Sequence, residues 1–108
     1  MTEMTRVHTA LLELGLEDLI PLPEALSEAG VYSEDTGDQL VTVVGHALVD
    51  LLRNDLIQVF SGHWSVEPVL VSREAAEAML LDQRRYSYDA EVDGTERVYY
   101  VNVDNYRE

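Results

Sequence analysis

The chain has no cysteine and no lysine, and only three prolines and one tryptophan among its 108 residues. Without cysteine, disulfides, thiolate metal ligands and a thiol nucleophile are all excluded. Small secreted domains usually depend on disulfides, and the N-terminal segment with Glu3 and Arg6 is too polar for a secretion signal, so we expect a cytoplasmic protein. The longest apolar runs fall far short of the ~20 residues that span a bilayer, so we expect no membrane segment.

Positive charge is scarce as well. Seven arginines stand against 21 acidic residues, which gives a formal net charge of −14. A polyanionic surface repels phosphate backbones and anionic lipid headgroups, so the charge argues against nucleic acid and membranes as partners. Two interpretations of the acidity stay open: a lineage or solubility bias, or attraction to a basic partner protein.

The apolar fraction of the chain, 46 %, is that of an ordinary globular protein. No internal repeat, low-complexity linker or change in composition divides the sequence. We therefore expect one domain over residues 1–108, and the sequence leaves open whether it forms a homodimer.

Hydrophobic periodicity predicts four helices and two strands before the C-terminal quarter of the chain. The predicted helices cover 5–14, 22–30, 39–54 and 72–82, and the predicted strands cover 56–61 and 64–71. Pro68 restricts at least part of the second strand to an edge or a loop. Gly45, inside the longest helix, is either merely tolerated there or allows another backbone to approach closely.

The C-terminal quarter contains a strong hairpin signal. Two segments rich in β-forming residues, Tyr86 to Val92 and Thr95 to Val103, flank the turn-forming pair Asp93-Gly94. This register pairs Tyr88 with Tyr99 and places Tyr100 on the opposite face of the hairpin. If the Tyr88/Tyr99 face packs on the helices, Tyr100 is the exposed aromatic.

Three helices followed by two strands is the order of elements in a winged helix-turn-helix domain. The segment "LVTVVGHALVDLLRNDLIQVFSG", Leu40 to Gly62, resembles the third helix of that family, its leucine pair and the strand that leads into the wing. The resemblance implies an α+β fold: a winged-helix-like three-helix core with a short β-hairpin, to which a further helix and the C-terminal β-hairpin are added.

The DNA-binding function of that family requires cations on the third helix and on the wing. The polar positions of the third helix are Gln39, Thr42, His46, Asp50 and Arg53. Only Arg53 is a permanent cation, and Asp50 repels phosphates. A transcriptional regulator that binds DNA is therefore the alternative function rather than the leading one.

No arrangement of residues in the sequence indicates catalysis. The three histidines, His8, His46 and His63, fall on different predicted elements and lack the close spacing of zinc ligands. The acidic run Glu34 to Asp38 lacks the ligand spacing of a calcium-binding loop. We expect a protein that is not an enzyme and has no cofactor and no metal site.

The leading expectation is a small acidic protein-binding module for a basic partner, for example an immunity- or antitoxin-type inhibitor or a mimic of DNA charge. Tyrosine and arginine are enriched in protein-binding hot spots, and both concentrate near the C-terminus. The candidate partner-binding residues are Tyr100, Tyr86, Arg84, Arg85 and Arg97. Core packing of the tyrosines is the competing interpretation.

Overall fold

The structure is a computed structural model, and it describes residues 6–16, 19–34, 37–62, 67–86 and 97–106. Helices and strands are interspersed along the chain in an α+β arrangement. The elements are α1 (Arg6–Leu14), β1 (Ile20–Pro21), α2 (Leu22–Ala29), α3 (Gly37–Arg53), β2 (Ile57–Gly62), β3 (Val69–Leu70), α4 (Arg73–Leu80), a 3₁₀ helix (Gln83–Tyr86), β4 (Arg97–Asn102) and α5 (Val103–Tyr106).

Helix α3 ends at a turn that redirects the chain into β2. Asp55 adopts a left-handed conformation with φ of 60°. Its amide donates to Leu52 O at 3.0 Å, and the next amide, that of Leu56, donates to Leu51 O at 3.0 Å. This pair of hydrogen bonds is a Schellman motif, and it satisfies carbonyls that the end of the helix leaves without intrahelical partners.

The four strands form one antiparallel sheet in the order β1-β4-β2-β3. Strand β4 was expected to belong to an added hairpin, but it lies between β1 and β2. The expectation of a strand that begins at Tyr86 is wrong, because this residue ends the 3₁₀ helix. The rest of the expected first arm and the turn at Asp93-Gly94 lie outside the described residues.

The central strands alternate between the core and the other face of the sheet. Val59 and Tyr100 are register partners on β2 and β4, and both are buried, as is Ile57 two residues before Val59. Apolar side chains of α1, α2, α3 and α4 complete a single core cluster with them. Its fully buried larger members include Leu11, Leu22, Leu48, Leu51 and Leu80.

Strand β4 also closes the C-terminal end of α1. The Tyr100 hydroxyl donates to Leu11 O at 2.8 Å, and Asn102 Nδ2 donates to Leu12 O at 3.0 Å. The backbone amide of Asn102 donates to Gly15 O at 3.1 Å. These bonds give partners to carbonyls of the last helical turn and the turn that follows it.

Gly45 is the point of closest approach between α3 and the end of α4. A Cβ atom built on Gly45 would lie 2.8 Å from the backbone oxygen of Leu80, which is closer than real Cβ atoms come. Of the two interpretations of this glycine, the structure supports close backbone approach.

Helix α4 begins where Ser72 predicts it, since the Ser72 side chain accepts a hydrogen bond from the amide of Ala75. Helical spacing predicts Ala75, Ala78, Met79 and Leu80 as its buried face, and of these only Leu80 is fully covered. Ala76 and Leu80 are buried, whereas Ala78 is exposed. A helix of two turns packs along a narrow line, so a small rotation changes which alanine is covered.

No helix in the described part of the chain is both long enough and apolar enough to cross a bilayer.

Candidate protein-interaction surface

The two candidate tyrosines of the C-terminal region lie in the core. Tyr100 has 0 % of its surface exposed, and Tyr86 is buried with its hydroxyl 2.6 Å from Leu80 O. Burial raises the pKa of both phenols above the ordinary range of tyrosine. The expectation that Tyr100 is an exposed anchor is therefore wrong. Its neighbour Tyr99, expected to face the core, is half-buried on the opposite side of β4.

The described side chains of the candidate arginines are not fully exposed either. Arg85 is half-buried, and its Nε lies 3.5 Å from Asp82 Oδ2. Arg97 opens β4 opposite Gly62 and is also half-buried. The backbone of Arg84 lies in the 3₁₀ helix, and its side chain is outside the described part of the structure. Among the candidate side chains that the structure describes, Tyr86, Tyr100, Arg85 and Arg97 do not form an exposed surface.

The other described arginines of the second half of the chain are engaged with acids. Arg53 Nη2 lies 2.8 Å from Glu77 Oε1, and Arg73 pairs with Asp55. The hydrogen bond to Glu77 raises the pKa of Arg53, and the same bond lowers the pKa of Glu77. The one permanent cation among the polar positions of α3 is therefore already paired with a carboxylate.

The other polar side chains of α3 have little capacity to read DNA. The Thr42 hydroxyl donates to Asp38 O at 3.0 Å, one turn earlier in the helix. Asp50 Oδ2 lies 3.1 Å from Nε2 of His8, a buried residue of α1. Asp50 thus supports the packing of α1 on α3, while His46 is exposed.

A shallow groove of about 270 Å³ lies beside His46. Its lining combines α3 residues with the segment after α4: Val41, Thr42, Gly45, His46, Leu81 and Gln83. The volume is slightly below the usual range of small-molecule sites, about 300–1,000 Å³. Among these lining residues only His46 has an ionisable side chain, and none is a carboxylate that could act with it. The groove suits a single side chain of a partner better than it suits a reaction.

The charges of the molecule are segregated along the chain. Between Arg6, the first residue of α1, and Arg53, the last residue of α3, there is no lysine or arginine, so residues 7–52 form a segment without permanent cations. The same segment contains nine carboxylates: Glu13, Glu17, Asp18, Glu24, Glu28, Glu34, Asp35, Asp38 and Asp50. This uneven distribution of charge can be read from the sequence, but it is not evident from the net charge.

Large apolar side chains are exposed within the anionic half of the chain. Val31 and Tyr32, in the turn after α2, are 73 % and 48 % exposed. The predicted helices 22–30 and 39–54 leave these residues in a connection, and the pair is not among the residues predicted to bind a partner. The signal was present, since a valine and a tyrosine open a connection that is otherwise polar. Leu16 in the same half of the chain is also exposed, as are Val69, Leu70 and Leu81 in the other half.

Within the described residues, no group of three or more histidine, aspartate or glutamate side chains is arranged to hold a metal ion. His46 and His8 lie on different helices, and His63 is not among the residues described.

Comparisons with protein-family models, with curated proteins and with solved structures find no match to this chain.

Proposed function

We propose that this protein is a non-catalytic, cytoplasmic binding module whose partner is a basic protein. The observation that carries the proposal is the segregation of charge: the segment from residue 7 to residue 52 has nine carboxylates and no lysine or arginine. An anionic surface accelerates the encounter with a cationic partner and disfavours partners of like charge.

An inhibitor of the immunity or antitoxin type, or a mimic of DNA charge, is a concrete form of such a module. Both forms need an acidic surface and an adhesive contact, and neither needs a catalytic centre. We further propose that the scaffold is winged-helix-like and forms one domain. Three helices, α1 to α3, precede β2 and its antiparallel neighbour β3, which supports this proposal.

Affinity capture from the source cells tests the proposed function. The immobilised protein should retain basic proteins that elute as salt is raised, because the attraction is electrostatic. The control is an unrelated acidic protein of similar size and net charge. A partner retained by this protein and not by the control supports the proposal, whereas identical retention on both would contradict it.

A winged-helix transcriptional regulator is the second candidate, and the order of helices and strands favours it. The pairing of Arg53 with Glu77 weighs against it, since a phosphate would have to compete with this carboxylate.

We therefore expect no mobility shift of duplex DNA at physiological salt. A shift that weakens as salt is added, and that Arg53→Ala removes, would establish the second candidate instead. Glu77→Gln is the informative control, because it frees Arg53 and would strengthen any real phosphate contact.

A further inference from the structure

Helix α2 presents two carboxylates one turn apart, and the turn that follows it presents two apolar side chains. Glu24 and Glu28 are separated by four residues, and Val31 and Tyr32 follow Glu28 by three and four residues. Residues at these spacings are neighbours on a helical surface. We refer to Glu24, Glu28, Val31 and Tyr32 as the Tyr32 stripe.

The backbone that carries Val31 and Tyr32 is well anchored. The amide of Val31 donates to Glu28 O at 3.1 Å, and the amide of Tyr32 donates to Ala29 O at 3.0 Å, so both continue the helical turn. A Cβ atom on Gly30 would lie 3.4 Å from Leu40 Cδ2, which shows how closely this turn approaches α3. The two exposed side chains are thus displayed from an ordered turn.

Both side chains are exposed in the part of the chain that the structure describes. Val31 is 73 % exposed and Tyr32 is 48 % exposed, while the neighbouring α2 residues Ala25 and Ala29 are fully buried. No hydrogen bond to the Tyr32 hydroxyl is found in the described part of the chain. An aromatic ring displayed in this way has both a face and a polar group available to a partner.

The charged residues near Tyr32 along the chain are all acidic. Its neighbours along the chain include Glu28 and Glu34, and the nearest arginines in sequence are Arg6 and Arg53. A second copy of this chain would bring the same anionic segment against itself, and nucleic acid would bring phosphates. Charge complementarity therefore selects a cationic occupant.

We infer that the Tyr32 stripe is the docking surface for a basic segment of the partner protein. An arginine guanidinium of that segment stacks on the Tyr32 ring, and neighbouring arginines of the same segment pair with Glu24 and Glu28. This inference rests on the proposed function and assigns its contact surface. Arginine is favoured over lysine because its planar guanidinium stacks on aromatic faces and bonds carboxylates through two donors.

Fluorescence anisotropy with labelled oligoarginine and oligolysine peptides of equal length tests the assignment. We expect oligoarginine to bind more tightly than oligolysine. Tyr32→Leu keeps an apolar side chain but removes the ring, and it should weaken oligoarginine binding by roughly two- to fivefold. Tyr32→Phe retains the ring and should bind as the native chain does, while Leu70→Ala alters a similarly exposed apolar residue of β3, outside the stripe, and should have no effect.

Two glutamates provide a matched comparison of charge. Glu24 and Glu74 are both exposed, and both lie in the first turn of a helix, α2 and α4 respectively. Replacing either with glutamine removes one negative charge, so a diffuse attraction would respond equally to both. We expect Glu24→Gln to weaken oligoarginine binding more than Glu74→Gln does.

The outcomes separate the docking surface from the proposed function. If oligoarginine binds, but Tyr32→Leu leaves the affinity unchanged and the two glutamine variants weaken it equally, the Tyr32 stripe is not the docking surface and the preference for a basic partner stands. If neither peptide binds at low salt, both the docking surface and the proposed function are wrong. Melting curves of each variant confirm that these exposed substitutions leave the fold intact.

Discussion

Tyr100 combines the largest fully buried side chain of the core with a polar group that has to be hydrogen-bonded. Its hydroxyl reaches Leu11 O, and the hydroxyl of Tyr86 reaches Leu80 O in the same manner. Each ring therefore fills apolar space in the core, and each hydroxyl donates a hydrogen bond to a carbonyl near the end of a helix. This double use explains why two tyrosines that suggest an interface in the sequence belong to the interior.

Burial of the two phenols makes stability sensitive to alkaline pH. The pKa of each is raised in the folded state, because the phenolate would be desolvated, whereas an unfolded tyrosine titrates near about 10. Stability is therefore complete below pH ~10 and falls above it, by up to about 1.4 kcal/mol per pH unit for each phenol.

Tyr100→Phe should lower stability below pH 10, because Leu11 O loses the Tyr100 hydroxyl and keeps only the Gly15 amide as a donor, and it should also make the alkaline decline less steep. Urea denaturation at several pH values measures both effects. Tyr32→Phe is the control, since its phenol is exposed and its removal should leave the slope unchanged. Equal slopes for Tyr100→Phe and the native chain would contradict this account.

At the scale of elements, local patterns predict most helices closely and predict the sheet poorly. Helical periodicity places α1, α2 and α3 within two residues of their observed ends, because that signal lies within each segment. The position of β4 depends instead on partners far away in sequence, namely Gln58 to Ser61 of β2 and the carbonyls at the end of α1. A two-residue turn signal such as Asp93-Gly94 contains no information about those partners.

The same distinction applies to the interaction surface. The alternation of β4 shows that Tyr99 and Tyr100 lie on opposite faces, but only the packing of β4 against β2 and α1 decides which face is buried. Tyr32 was accessible to sequence reasoning, because its turn lies just after a well-predicted helix and within the segment without lysine or arginine. Its exposure, however, depends on how the turn at Gly30 packs on α3.

The contact between α3 and the end of α4 gives a prediction at this scale. Glycine to alanine inside a helix ordinarily increases stability by about 1 kcal/mol. At Gly45 the added Cβ would meet Leu80 O at 2.8 Å, and a backbone atom cannot move aside as a flexible side chain can. Gly45→Ala should therefore destabilise the fold by roughly 1–3 kcal/mol in urea denaturation.

The control for this substitution is Thr42→Ala, one turn earlier on the same helix at an exposed position. It tests whether added helix propensity alone stabilises α3, and it should change stability little or raise it slightly. A Gly45→Ala variant as stable as the native chain would mean that the close approach of Leu80 is not maintained in solution.

On the scale of the whole molecule, the anionic segment is the proposed binding surface and also a source of self-repulsion. Most carboxylates between residues 7 and 52 have no permanent cation nearby in sequence, Asp50 before Arg53 being the exception, whereas Arg53 and Arg73 pair with Glu77 and Asp55. Like charges confined to one part of a compact structure destabilise it, and salt screens this effect. We expect an anionic surface that lowers the stability of the fold to serve binding. The loss of stability can be measured without knowing the partner.

The measurement again uses Glu24 and Glu74, which occupy equivalent positions at the start of α2 and α4. Both glutamine variants lose a similar favourable interaction with the helix dipole, about 0.3–1 kcal/mol. Glu24→Gln also relieves repulsion within the anionic segment. Glu74→Gln instead removes a carboxylate next to Arg73 in sequence, so it removes an attraction rather than a repulsion. At about 0.01 M salt, where the Debye length is about 30 Å, Glu24→Gln should therefore be the more stable variant by a few tenths of a kcal/mol. At about 1 M salt the Debye length is about 3 Å, and the difference between the variants should disappear. If Glu74→Gln is equally or more stable at low salt, the anionic segment carries no excess repulsion, and its acidity is a general property of the surface rather than a local one.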